Sequence, residues 1–236
     1  MRRGAVESIA VLVSLVALAG DLQAQRPQGL GGALGLSFVA ADAVGDLGLL
    51  VNKGFGVDLT AAGPVAANGH VRVRGNLGMI VYGHERLQYC NFSCRVGSDL
   101  TTTNSIAYLG VGPEVVLATG GVQPYVHSTV GMSYFFTSSA LDDNDGYGSY
   151  SQTTNYSDLV FAWKFGGGVR FKLGGDGAHP VYLDFGVERH INGVANYLTE
   201  GDIVDNSDGS VTLYPNRSEA NLVRFRLGFA VGLGGG

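Results

Sequence analysis

VRFRLGFAVGL, residues 223–233, decides how the rest of the chain is read. Side chains of an extended strand alternate between its two faces. Val223, Phe225, Leu227, Phe229, Val231 and Leu233 fall on one face, and Arg224, Arg226, Gly228, Ala230 and Gly232 on the other. One face is continuous hydrocarbon, while the other mixes arginine with residues that have little or no side chain. The wet face of a soluble sheet carries both signs of charge freely. Here the polar face reads as a cramped interior, and the apolar face as a surface for lipid.

The same alternation recurs toward the N-terminus. In VYLDFGVE (181–188), Val181, Leu183, Phe185 and Val187 oppose Tyr182, Asp184, Gly186 and Glu188. In FAWKFGGGVRFKL (161–173), the apolar set including Phe161, Trp163 and Phe165 opposes Lys164, Gly166, Gly168, Arg170 and Lys172. VQPYVHSTVGMSYFF (122–136), IAYLGVGPEVVLA (106–118), HVRVRGNLGMIVY (70–82), GFGVDLT (54–60) and ALGLSFVA (33–40) complete eight strands. Their connections alternate short and long. GPVAANG, TGG and GGDGAHP are brief, whereas the segments 40–54, 83–103, 138–157 and 192–218 are longer and polar. Short turns on one side and long loops on the other are the habit of membrane barrels, and an even strand count puts both termini on the short-turn side. Val211 to Leu213 is expected to extend the barrel as part of a hairpin at its rim.

Composition fits this reading. Charged residues make up 15% of the chain and 38 of its 236 residues are Gly, against roughly 25% and ~7% in ordinary soluble domains. A net charge of −5 offers no basic footprint for nucleic acid. At the start, Arg2 and Arg3 precede the apolar run Ile9 to Ala19, and GDLQA-Q offers a cut after Ala24. Residues 1–24 are therefore expected to be a cleaved signal peptide and 25–236 one domain. Eleven apolar residues are too few for a helix to cross ~30 Å of hydrocarbon. Export would place Cys90 and Cys94 where a disulfide can form across the intervening NFS.

The fold class is thus all-β: an eight-stranded, antiparallel, up-and-down transmembrane barrel, apolar outside and polar or charged inside. Eight strands enclose only enough room for side chains or one small ligand. Asp58, Arg72, Arg74, Glu114, Lys164, Arg170, Asp184, Glu188, Arg224 and Arg226 would meet there, and buried charges must pair or be hydrated. Arg224 and Arg226 are expected to neighbour Asp184, with Lys172 also on the inner face. Cations outnumber carboxylates on that face, so water, Tyr hydroxyls or a bound anion must share the balance.

Other chemistry is thinly represented. Asp142, Asp143, Asn144 and Asp145, then Asp202, Asp205 and Asp208, could collect Ca²⁺ weakly, but the full calcium loop with its terminal Glu is missing. His127 and Ser128 are adjacent and so lie on opposite strand faces, which leaves no nucleophile beside a base. Neither a catalytic site, nor a cofactor, nor a metal centre is expected.

The alternating strands, the inward Arg and Glu set and the closing strand resemble the OmpA/OmpX-like family of small outer-membrane β-barrels. The resemblance covers residues 25–236. It implies location in the outer membrane of a Gram-negative-type bacterium, contact with outer-membrane lipid and with the assembly machinery, and a monomer. It also implies a structural or surface-interaction role such as adhesion or reception, with an extracellular ligand at the acidic loops. In this family the closing strand usually ends in an aromatic residue; here Phe229 is the last aromatic and VGLGGG follows. A narrow ion or small-solute channel is the second reading, and a lipid-modifying enzyme a more distant third.

Overall fold

The computed structural model describes residues 31–65, 69–91, 96–143, 149–176, 179–208 and 210–234. Eight strands close into a single antiparallel barrel: β1 (Gly32–Val44), β2 (Lys53–Pro64), β3 (Val71–Asn91), β4 (Val96–Val116), β5 (Val122–Asp143), β6 (Ser149–Gly174), β7 (Val181–Asn192) and β12 (Asn221–Leu233). Each barrel strand pairs with its chain neighbour, apart from the step from β7 to β12, and β1 pairs β12 to close the ring. The closing ladder runs from Gly32 opposite Leu233 to Val44 opposite Asn221. Closure matters because hydrocarbon offers backbone amides no partners, so an open edge could not persist in it.

The faces divide as the alternation requires. Leu36, Phe38, Leu109, Phe161 and Phe229 are each more than half exposed on the outside, although all are apolar. Every charge of the inner set is buried. So much exposed hydrocarbon on a soluble monomer would be an aggregation surface; around a closed barrel it is a lipid-facing belt. The fold is that of a transmembrane β-barrel.

Inward glycines make the interior possible. A Cβ on Gly168 would stand 2.5 Å from the Tyr125 hydroxyl, and one on Gly186 would stand 2.7 Å from a guanidinium nitrogen of Arg226. Space given up by small residues on one strand is filled by long polar side chains from another. At the base, Gly120 takes φ +115° in the turn between β4 and β5, a conformation that suits Gly alone.

The strands differ greatly in length. β1, β2, β7 and β12 run 12 or 13 residues, but β3 and β4 run 21, β5 22 and β6 26. About 9–11 residues suffice for a tilted strand to cross the hydrocarbon. Half of the barrel therefore continues as a four-stranded sheet beyond the short half. Much of 83–103 and 138–157, read from sequence as loops, is this sheet. Bulges between Val81 and Gly83 and between Thr137 and Ser138 mark where the long strands change character. Beyond them Thr and Ser predominate, cross-linked by Thr102 to Ser139 at 2.9 Å and by Asn155 donating to Ser139 at 2.6 Å.

Between β7 and β12 the chain adds two hairpins. β8 (Val194–Tyr197) pairs β11 (Asn216–Glu219), and β9 (Ile203–Asp205) pairs β10 (Val211–Leu213). Val211 to Leu213 is therefore part of a hairpin, as expected from sequence, and that hairpin is a two-stranded ribbon separate from the barrel sheet.

Candidate functional site

The lumen is built from alternate residues of all eight barrel strands, and its lower half is a ladder of paired charges. Glu114 on β4 is the hub of one group. It accepts from Arg74 at 2.7 Å and from both terminal nitrogens of Arg170 at 2.8 Å each, with Arg72 3.9 Å away. Arg170 also reaches Asp184 at 3.5 Å, and Asp184 accepts from the Tyr125 hydroxyl at 2.7 Å. The forked guanidinium matches the carboxylate plane, which favours this two-point contact. Beneath it Gln123 donates to Tyr182 at 3.1 Å and Arg72 donates to the Gly69 carbonyl at 3.3 Å.

A second group centres on Arg224 and Arg226 of β12. Arg224 lies 2.8 Å from Glu188 and 3.1 Å from Asp58; Arg226 lies 3.5 Å from Glu188 and 3.6 Å from Asp58. The expected pairing with Asp184 is corrected by the register. Arg224 stands opposite Glu188, whereas Asp184 stands opposite Gly228, so Glu188 and Asp58 are the carboxylates within ion-pair distance. Tyr108 donates to Asp58 at 2.8 Å and accepts from Arg224, and Tyr125 accepts from Arg226 at 3.0 Å. His127 lies 3.3 Å from Glu188. Aromatic faces cover several of the cations: Arg224 is 4.1 Å from the Tyr108 centroid and Arg170 4.1 Å from that of Tyr125.

Lys164 is placed differently. It is fully buried, with Nζ 4.5 Å from the Tyr108 ring centroid, and that nitrogen has no hydrogen-bond partner. Lys172 is exposed near the short-turn end of β6, not within the lumen as sequence parity suggested, because the strand there runs past the end of the packed interior.

Above the charges the lumen becomes apolar. Val39, Ile80, Ile106, Phe135 and Leu222 form an apolar layer that packs with Leu47, Val51, Tyr82, Ala195 and Tyr197. Tyr82, Phe135 and Tyr197 form a triangle of rings with centroids 6.0 to 6.5 Å apart, in the range where aromatic pairs attract. The hairpin β8–β11 supplies the cover. Tyr82 donates to the Leu198 carbonyl at 3.0 Å, and Asp158 on β6 accepts from the backbone and side-chain nitrogens of Asn196 at 2.7 and 2.9 Å. This lid leaves little trace in the sequence, since its residues are dispersed through a segment without periodicity.

Farther out, a cleft of about 310 Å³ opens between the tall sheet and the ribbon β9–β10, lined by Leu100, Ser139, Asn155, Ile203, Asp205, Val211 and Leu213. The carboxylates of this region serve the fold. Asp202 accepts from the backbone and hydroxyl of Thr199, and Asp208 accepts from the backbone and hydroxyl of Ser210. The Ser210 bonds hold the Asp208 carboxyl below its ordinary range, and burial raises the Tyr197 phenol. No group of three or more His, Cys, Asp or Glu stands ready for a metal among the described residues. Cys90 is near the tip of β3 and Cys94 lies outside the described residues, so their pairing also lies outside them, as do the side chains of Asp142, Asp143 and Asp145 and the proposed signal segment 1–24.

His127 is buried and Ser128 lies on the outer face, where it accepts from the Trp163 indole at 2.8 Å. Ser133 and His190 meet at 3.0 Å inside the lumen. Both are buried, and Nδ1 of His190 has no hydrogen-bond partner, so the pair has no third group to orient the imidazole.

No protein-family model matches the chain and no curated protein matches it. Among solved structures, Ail, the attachment invasion locus protein of Yersinia pestis, in complex with the heparin analogue sucrose octasulfate, matches at 12% identity and TM-score 0.45, over 85% of this chain and 96% of that one. A major outer membrane protein from Thermus thermophilus matches at 15% and 0.40, over 84% and 98%. Neisserial surface protein A matches at 15% and 0.37, over 86% and 97%. The barrel assignment stands on the closed sheet and its inverted faces.

Proposed function

We propose that this protein is a non-enzymatic barrel of the outer membrane of a Gram-negative-type cell, whose membrane part is an anchor and whose working surface is the rim. The observation that carries the reading is the double closure of the lumen. Paired charges fill its lower half, and the layer of Ile80, Ile106, Phe135 and Leu222 seals it beneath the β8–β11 cover. An ion entering from outside would have to shed its water in a dry aromatic layer, which costs far more than a surface pore asks of it. Four strands meanwhile extend well beyond the lipid-crossing length, displaying a sheet and two hairpins outside.

The rim suits contact with a cationic partner. Segment 193–219 carries Glu200, Asp202, Asp205, Asp208 and Glu219 against the single base Arg217, and 138–160 carries four Asp and no base. A polyanion would be repelled by this field and a basic surface drawn to it.

The channel is the reading to test against. Purified protein is refolded into planar bilayers after its heat-modifiable migration on a gel confirms a folded barrel. The sealed barrel inserts and passes no current. Reproducible conductance steps whose ion selectivity shifts on neutralising Arg72 and Arg226 would make the channel primary.

A further inference from the structure

From the outward charges of the barrel wall we infer that Arg189 on β7 is the seat of an anionic lipid of the outer leaflet, whose phosphate its guanidinium holds. The site lies on the lipid-facing wall, apart from the acidic rim, and it rests on the reading of the protein as a membrane barrel.

The first observation is where Arg189 points. Its chain neighbours Glu188 and His190 are buried in the lumen, so strand alternation turns Arg189 outward. The outward positions of the three adjacent strands β6, β7 and β12 are otherwise uncharged from Leu159 to Phe171, from Val181 to Ile191 and from Val223 to Leu233. Arg189 stands opposite Phe165 of β6 and Val223 of β12 in the two ladders. Phe165, Val187 and Phe225 beside it are exposed and apolar.

The second observation is its depth. Arg189 lies three residues from the outer end of β7 at Asn192 and eight from the inner end at Val181. That places it in the outer leaflet, about 8 Å below the strand's end at the usual rise and tilt. Apolar side chains continue outward past it: Ile191 on β7, then Phe161 and Leu159 on β6, which are 63% and 56% exposed. The guanidinium is therefore inside the apolar belt and not at its edge. Among the described residues it makes no ion pair and no hydrogen bond.

A lone cation in hydrocarbon is costly, and a long side chain relieves the cost by reaching up to the headgroups. The N–H groups of the guanidinium form a fork that fits a phosphate at two points. The wall supplies no carboxylate in its place. The same ladder row runs on from Val223 to Asp42 of β1 and Lys53 of β2, so that carboxylate already faces an opposite charge. A zwitterionic headgroup would bring a second cation to a place with no acid to receive it; an anionic one balances the charge. The apolar surround calls for an amphiphile and not for free phosphate, with its chains lying on Phe165, Val187 and Phe225.

The test compares two lipids. The refolded barrel, its fold checked by heat-modifiable migration, is titrated in dodecylmaltoside micelles with phosphatidylglycerol or with phosphatidylcholine of the same chains. Bound lipid is counted by native mass spectrometry. The unaltered protein binds its first phosphatidylglycerol roughly tenfold more tightly than phosphatidylcholine, the worth of a charge-assisted contact. Arg189→Gln removes that preference, whereas Lys53→Gln, an equal change of charge on the same outer face, keeps it. A phosphatidylglycerol with a photoreactive group beside its phosphate labels the β7–β12 wall around Arg189 in the unaltered protein, which decides the matter if the variant does not fold. Equal affinity for the two lipids in a folded barrel, or labelling confined to other strands, would overturn the inference alone. So would a preference that survives in Arg189→Gln or falls as far in Lys53→Gln. A protein that stays soluble and monomeric without detergent would instead sink the membrane reading beneath it.

Discussion

Replacing Glu114 by Gln keeps the side chain's shape and removes one negative charge from the most crowded point of the lumen. Glu114 is 0% exposed and faces Arg74 at 2.7 Å, Arg170 through two contacts of 2.8 Å, and Arg72 at 3.9 Å. In the variant these three cations retain Asp184, 3.5 Å from Arg170, as their carboxylate. Removing one member of a buried ion pair costs about 3–5 kcal/mol, because the remaining charge stays enclosed. One acid serves three bases here, which pushes the cost up; the amide oxygen still accepts one hydrogen bond, which pulls it down. We expect a loss of about 3–5 kcal/mol, or roughly two to three and a half decades in the unfolding constant.

The assay is reversible urea unfolding of the refolded barrel, followed by Trp163 fluorescence. Arg170→Met in the Glu114→Gln background should restore part of the loss, because a matched deletion leaves one fewer orphaned cation. The two changes should therefore couple by more than about 1 kcal/mol, as contacting residues do. A Glu114→Gln variant within about 1 kcal/mol of the original, or strict additivity of the two changes, would refute the hub.

Leu109 lies on the lipid face opposite Met132, and Leu109→Arg should cost ~2–4 kcal/mol and impair insertion; the same change at exposed Val211 on the rim should leave heat-modifiable migration unaltered. Phe135→Ala, in the apolar layer, should cost about 3–5 kcal/mol and loosen the lid, read as faster amide exchange in 194–198. The carboxyl of Asp208 is held below its ordinary range by Ser210, so the bonds it anchors persist above the ordinary carboxylate range and fail as pH falls through the lowered value. A pH titration of β9–β10 amide shifts should show this change, and Ser210→Ala should move it to higher pH.

The barrel was legible because lipid imposes a simple rule on sequence. In VRFRLGFAVGL and its seven counterparts, one face meets hydrocarbon and the other a narrow polar interior, so alternation survives intact. It vanishes in 83–103 and 138–157, whose polar composition reads as loop although much of both is strand. Parity identified the inward charges by residue, but partners depend on stagger between strands. Parity alone sets Asp184 near Arg224 and Arg226, whereas the ladder puts Glu188 opposite Arg224. The lid was hidden because Leu47, Tyr82, Phe135, Tyr197 and Leu222 come from distant segments and form a core only when the barrel closes.

A membrane barrel requires its outer face to meet lipid. Trp163, the single tryptophan, is 42% exposed on that face, packed beside Phe165 at 4.9 Å. The most direct measurement is quenching of its fluorescence by lipids brominated at successive acyl-chain depths, after refolding into vesicles. Strong, depth-dependent quenching that soluble iodide does not reproduce is the predicted result. Ready quenching by iodide with none by brominated lipid would put that face in water and contradict the membrane barrel outright.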